Sequence, residues 1–115
     1  MLSKIILGVV AILAIAVLYL KFTAVRISGP DARELVAEGA LLVDVRSSGE
    51  YEDGGIEGSI NIPIQELAGR LDELGGQDRP IVVYCQSGGR SAMAKRMLES
   101  NGFTEVHDLG GIRRW

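Results

Sequence analysis

Between Lys4 and Lys21 the chain runs 16 residues, Ile5 to Leu20, without a charge, and beyond them the apolar positions fall into short groups separated by polar and glycine-rich stretches. The long run is apolar all round, which predicts a helix lacking the polar face that a surface helix of a water-soluble domain carries. At 1.5 Å per residue it covers about 24 Å, against a hydrocarbon core of roughly 30 Å. Phe22, Ala24 and Val25 continue the apolar trend, and lysine stems that snorkel toward the headgroups close the remaining gap. The pattern predicts a single-pass membrane anchor over residues 1–24. A cleaved secretory signal is the competing reading: Ala14 and Ala16 are small enough for a cleavage site but lie inside the hydrophobic stretch, and Phe22 with Ala24 fits such a site badly.

From residue 25 the pattern alternates between strands and helices. Val25 to Ser28 reads as a first strand, Pro30 opens a helix and Gly39 stops it. Leu41 to Val45 is a second strand, and Ser59 to Ile62 a short third that ends at Pro63. Ile64, Leu67, Ala68, Leu71 and Leu74 fall at helical spacing and predict a helix over about 64–74, stopped by Gly75-Gly76. Ile81 to Tyr84 is the central strand, followed by a helix from about Arg90 to Ser100 with Ala94, Met97 and Leu98 facing inward and Asn101-Gly102 at its end. Val106 to Leu109 is the last strand. This alternation predicts an α/β domain with a mainly parallel central sheet flanked by helices.

The anchor inflates the hydrophobic share of the whole chain, 47%. From residue 27 onward nine basic residues stand against fifteen acidic ones, a net charge of −6 that argues against a nucleic-acid partner. Those 89 residues suffice for one small core and not for two, so residues 25–115 form a single domain behind the anchor. Lys4 and the amino terminus lie on one side of the anchor, and Lys21, Arg26 and Arg33 on the other. That excess leans toward a cytoplasm-facing domain. One cysteine forms no internal disulfide and leaves the compartment open.

That cysteine, Cys85, follows the apolar run Ile81-Val82-Val83-Tyr84 and precedes Gln86-Ser87-Gly88-Gly89-Arg90-Ser91. It is placed where a buried strand reaches the carboxyl edge of the sheet, the edge at which open α/β sheets bind ligands. Two glycines let successive N–H groups turn inward, and the following helix adds its positive end, so the loop reads as an anion cradle with a sulfur at its floor. A free cysteine is only about 3% thiolate at neutral pH. The helix terminus contributes up to about 2 kcal/mol, near 1.5 pK units, and a cation such as Arg90 about one unit more. The alternative, a small buried hydrophobe at a strand end, fits the cysteine alone but not its Ser-Gly-Gly-Arg-Ser sequel. No cysteine or histidine partner supports a metal site, no Ser-His-Asp arrangement is present and no cofactor is implied. The only histidine, His107, reads as a strand residue and not a base.

Cys85 to Ser91 resembles the active-site loop of rhodanese-type sulfurtransferases. Other stretches agree, in the family's order. Leu41-Leu42-Val43-Asp44-Val45-Arg46 is similar to its strand ending in Asp-x-Arg, and Glu50-Tyr51 with Gly54 to Pro63 to its Gly-His-Ile-x-Gly-Ala-x-Asn-x-Pro segment. Gly110-Gly111 through Trp115 is similar to its closing Gly-Gly-x-x-x-Trp. The resemblance covers about residues 27–115 and departs at Gly55, where the family usually has histidine. The glycine is expected to loosen the first loop and to remove a polar contact.

The resemblance implies a rhodanese-like α/β fold, here preceded by one transmembrane helix, and an enzyme of the thiosulfate sulfurtransferase type. Thiosulfate or a similar small anionic donor would give its outer sulfur to Cys85, leaving a persulfide, and a thiol, cyanide or another acceptor would remove it. Phosphatases of the related cell-cycle type have a gap between cysteine and arginine one residue longer than the four residues found here. Under this resemblance Cys85 is the nucleophile and sulfur carrier. Arg90 is either the anchor for the donor's oxyanion or a solvated residue of the first turn. Gln86, Ser87, Gly88 and Gly89 contribute mainly backbone N–H groups, and Ser91 caps the helix or donates to the thiolate. Asp44 is chiefly structural, and Arg46 either helps receive the donor or forms a surface ion pair. A non-catalytic binding or sulfur-sensing module at the membrane is the alternative, opposed by the presence of both Cys85 and Arg90. Family members often continue past the position of Trp115 into a further helix, so one side of the core is expected to be thinly covered.

Overall fold

The computed structural model describes residues 1–22 and 25–115, the side chains of residues 20–22 excepted. Helix α1 spans Leu2–Phe22. Its segment Leu2–Tyr19 is long and apolar enough to cross a membrane, and none of it is buried against the rest of the chain. A signal sequence shares those properties. The expected division at residue 24 lies outside the described residues.

Four strands organise the remainder: β1 (Leu41–Asp44), β2 (Ile60–Asn61), β3 (Ile81–Cys85) and β4 (Val106–Gly111). They form one sheet in the order β2-β1-β3-β4, and every neighbouring pair is parallel. Parallel pairs require crossovers, which run through α3 (Ser48–Gly54), α4 (Ile64–Leu67) and α5 (Gly89–Ser100) together with shorter turns, while α2 (Gly29–Ala37) precedes β1. Every residue of β3 is buried because the central strand is covered on both faces, and for that reason it reads as an unbroken apolar run. Its alternate side chains enter two cores. Ile81, Val83 and Cys85 meet Leu67, Leu74, Ala94 and Leu98 on one face. Val82 and Tyr84 meet Ala32, Leu42 and Leu109 on the other, where Leu35, Ile112 and Trp115 also pack.

Three local readings change. Val25 to Ser28 forms no strand; the Ile27 N–H donates to the Asp108 carbonyl at 2.9 Å, while the Ser28 hydroxyl caps α2 by accepting from the Asp31 N–H at 3.2 Å. The helix expected over 64–74 is two pieces, α4 and a 3-10 turn at Leu71–Leu74, because Gly69 interrupts it and Arg70 leaves the helical region at φ −128°. Leu67 and Leu74 are nonetheless buried, as their spacing requires. Helix α3 has no buried residue and so no apolar stripe to betray it. The inward stripe of α5 stands as read, with Ala94 and Leu98 buried and Met97 packed against them.

Candidate active site

Cys85 closes β3, and the chain leaves the carboxyl edge of the sheet through Gln86 and Ser87 to Gly88, the N-cap of α5. Gly88 has φ +114°, a region where a Cβ is strained. This turn aims the Gly88 N–H back at the sulfur, with N···Sγ 3.0 Å. The thiol is 1% exposed. It donates to Ser91 Oγ at 3.5 Å, and the Ser91 hydroxyl donates to the Gly88 carbonyl at 3.1 Å. Ser91 thus closes the first turn of the helix and stands beside the sulfur. Burial pushes the Cys85 thiol up, but hydrogen bonds from the Ser91 hydroxyl and from the N–H groups of Ser91, Gly88 and Ser87 outweigh it. The net position is below an ordinary thiol, because those donors favour the ionised sulfur. Gln86, Ser87 and Gly89 lie on the exposed side of the loop.

Arg90, in the first turn of α5, forms a fork with Glu50 of α3, with Nη1···Oε1 2.7 Å and Nη2···Oε2 3.0 Å. The two side chains are 36% and 33% exposed, so the pair is on the rim. The Arg90 hydrogen bonds, aided by the Ser47 backbone N–H, hold the Glu50 carboxyl down to about 2. Arg90 is in turn held protonated chiefly by Glu50, with the charge of the Cys85 sulfur contributing. Glu50 is the rim residue to which sequence reasoning gave no role. Its signal was a capping box: Ser47 Oγ accepts from the Glu50 N–H at 3.2 Å, and Glu50 Oε1 accepts from the Ser47 N–H at 3.1 Å.

Asp44 and Arg46 are both buried, so their pairing is not the surface ion pair that is one of the two readings of Arg46. The Asp44 carboxylate accepts from the Arg46 backbone N–H at 2.8 Å, from Nε at 3.0 Å and from Nη2 at 2.8 Å. Arg46 then donates from Nη1 to Gln86 Oε1 at 3.0 Å and from Nη2 to the Gly54 carbonyl at 3.2 Å. One guanidinium therefore braces the end of β1, the end of α3 and the cysteine loop. Beside it opens a cleft of about 230 Å³, lined by Arg46, Glu50, Asp53, Gly54 and Gln86.

Gly55 lies against the Tyr51 ring. A Cβ there would collide with the Tyr51 ring, so the glycine admits an aromatic face where a side chain would otherwise stand. The Tyr51 hydroxyl donates to the Ser59 carbonyl at 2.6 Å. The Tyr84 hydroxyl, rising from β3, accepts from the Ile56 N–H at 3.0 Å and bonds the Ser59 hydroxyl at 3.0 Å. His107 lies on β4 with its Nε2 3.3 Å from Glu105 Oε2. Among the described residues no group of three or more His, Cys, Asp or Glu side chains is placed to hold a metal.

The sequence profile of the family described as Rhodanese-like domain matches residues 28–115. The chain is 43% identical over 77 residues to YqhL of Bacillus subtilis, an uncharacterized protein, covering 66% of this chain and 60% of that relative's length. It is 34% identical over 91 residues to the thiosulfate sulfurtransferase GlpE of Pseudomonas syringae, covering 78% of this chain and 85% of that one. Among solved structures, the human single-domain sulfurtransferase TSTD1 superposes with a TM-score of 0.67 at 32% identity, covering 81% of this chain and 96% of that one.

Proposed function

The chain belongs to the rhodanese-like domain family, and from that premise we propose that it is a membrane-anchored sulfurtransferase in which Cys85 carries sulfane sulfur as a persulfide. Relatives named thiosulfate sulfurtransferase support the reaction class. The observation that carries the reading is the Gly88 N–H held 3.0 Å from the Cys85 sulfur, in a loop whose donors lower the thiol's pKa.

The chemistry divides into two displacements. The Cys85 thiolate attacks the outer sulfur of thiosulfate; the bond from that sulfur to the sulfonate sulfur breaks, and sulfite leaves with the electron pair. The persulfide keeps its negative charge on the outer sulfur, within the field of the loop N–H groups, as an oxyanion hole holds a developing charge. Cyanide or a thiolate then attacks that outer sulfur, removing it as thiocyanate or a new persulfide and returning the Cys85 thiolate. When the thiol ionises, the Ser91 hydroxyl turns from the Gly88 carbonyl to the sulfur and replaces the donor role the S–H has lost. Glu50 takes one N–H from each terminal nitrogen of Arg90, and the remaining N–H groups of that guanidinium serve the donor's oxygens. Helix α1 anchors the domain, and the basic residues that follow it favour the cytoplasmic side.

The test uses the full chain in detergent micelles. Thiosulfate treatment is expected to add the mass of one sulfur atom to Cys85, reversibly by a thiol reductant, and added cyanide is expected to yield thiocyanate. Cys85→Ser is expected to do neither. Absence of the sulfur adduct, or full thiocyanate production by Cys85→Ser, overturns the reading, and an adduct that cyanide and thiols cannot discharge marks a sulfur-binding module without turnover.

A further inference from the structure

Arg46 and Arg90 both bring a guanidinium to the cysteine loop, and both are neutralised in place, one by Asp44 and one by Glu50. A further guanidinium reaches the loop from a distant part of the chain. Arg26 lies between the end of α1 and the start of α2, in a segment fixed to β4. The Ile27 N–H donates to the Asp108 carbonyl at 2.9 Å, and Arg114 Nη2 donates to the Ile27 carbonyl at 2.9 Å. From there the Arg26 side chain crosses Gly110 and lays its guanidinium against Gly88. A Cβ built on Gly110 would stand 2.8 Å from Arg26 Cδ, and one on Gly88 would stand 2.8 Å from Arg26 Cζ. The Gly88 N–H is itself 3.0 Å from Cys85 Sγ, which brings the guanidinium within roughly 8 Å of the sulfur by ordinary bond geometry. Arg26 is exposed, and among the described residues no ion pair engages it. Arg114, which also approaches Gly110, has its Nε and Nη2 committed to the Leu109 and Ile27 carbonyls.

We propose that Arg26 is a specificity-determining residue that draws the anionic end of the sulfur donor to the cysteine loop. The proposal rests on the reading of Cys85 as the sulfur carrier. A domain of net charge −6 from residue 27 onward repels a dianion at long range, and the paired Arg46 and Arg90 present little net charge to it. An unpaired guanidinium beside the loop supplies the missing attraction and offers a planar fork to the sulfonate oxygens while the outer sulfur meets Cys85. Gly88 and Gly110, both at positive φ, leave the space that the arginine occupies.

The experiment compares alkylation of Cys85 by anionic iodoacetate and by neutral iodoacetamide, followed by thiosulfate kinetics, in the full chain in detergent micelles. Variants are Arg26→Gln and Arg26→Lys, with Arg79→Gln as a control. Arg79 is exposed just before β3, at the edge of the sheet opposite Cys85. Arg26→Gln is expected to lower the iodoacetate rate relative to the iodoacetamide rate by about fivefold and to raise the KM for thiosulfate by about tenfold with kcat little changed. Arg26→Lys keeps most of the ratio, and Arg79→Gln leaves both readouts unchanged. An unchanged ratio in Arg26→Gln overturns the proposal. Equal slowing with both reagents also overturns it, by assigning Arg26 a structural role. If the unmodified chain shows no sulfur transfer, the sulfur-carrier reading fails by itself, and the alkylation ratio still decides whether Arg26 draws anions to Cys85.

Discussion

Replacing Asp44 by alanine strands a buried charge. The Asp44 and Arg46 side chains are 0% and 5% exposed. The substitution removes the carboxylate that takes the Arg46 N–H, Nε and Nη2, and leaves the guanidinium only the Gln86 and Gly54 oxygens. Removing one member of a buried pair costs about 3–5 kcal/mol, out of a total stability on the order of 5–15 kcal/mol. In a domain of this size each kcal/mol moves Tm by about 4–8 °C, so the midpoint is expected to fall by at least about 12 °C. Trp115, the only tryptophan, packs against the core cluster that holds Tyr84, so its fluorescence follows unfolding of the domain independently of α1. Asp44→Ala with Arg46→Met leaves no charge unpaired and is expected to recover most of the loss. A fall of less than about 4 °C in Asp44→Ala, or a double variant as unstable as the single one, would refute the pair as the brace of the loop.

Three further outcomes are expected. Ser91→Ala deletes the hydroxyl 3.5 Å from the Cys85 sulfur; the pH midpoint of Cys85 alkylation is expected to rise by about one unit, the share of one hydrogen bond to a charged group, with circular dichroism unchanged. Glu50 titrates at about 2 in the folded chain against about 4.3 unfolded. Its carboxyl is depressed, so its contribution is complete above the unfolded value and is lost as pH falls toward the folded one. Tm measured by Trp115 fluorescence is expected to drop less in Glu50→Gln than in the parent over that interval, by a small, salt-sensitive amount because the pair is on the rim. Gly55→His restores the residue usual in the family yet collides with the Tyr51 ring; it is expected to destabilise by about 1–3 kcal/mol in denaturant unfolding, and a double variant with Tyr51→Ala is expected to relieve the collision.

What the sequence showed and what it concealed separate by the range of the contacts involved. The central strand was legible because burial on both faces leaves only β-branched and aromatic residues before Cys85, and α5 because Ala94, Met97 and Leu98 repeat at helical spacing. Gly88 was legible as a turn because the chain must reverse there. Helix α3 was not, since Ser47 and Glu50 cap it without any apolar stripe. Gly69 was overlooked inside the 64–74 pattern because the apolar residues on either side of it keep helical spacing. In the site, Arg90 meets Glu50 and Arg46 meets Gln86 across 40 residues in each case. Arg26 reaches Gly88 from before the first strand. No local spacing encodes such pairings; the strand order does, by bringing the ends of β1, β3 and β4 to one edge.

The same edge resolves an apparent conflict between an acidic domain and the proposed anionic donor. Asp44 and Glu50, the carboxylates in contact with Arg46 and Arg90, are each paired with a guanidinium, so neither presents its full negative charge to the loop. What remains positive there is of two kinds. The N–H groups around Cys85 carry partial charge, and their direction is set by the left-handed turn at Gly88 and not by any titrating group. Arg26 adds a full charge, but on an exposed side chain whose contact with solvent makes it sensitive to salt. The fixed donors suit the buried Cys85 sulfur, which the Gly88 N–H approaches to 3.0 Å. The exposed cation suits the proposed donor, which must arrive, align and then leave as sulfite. Under the proposed function the loop N–H groups stabilise the carrier while Arg26, beside Arg90, captures the donor, so a change at Arg26 alters capture without altering the carrier.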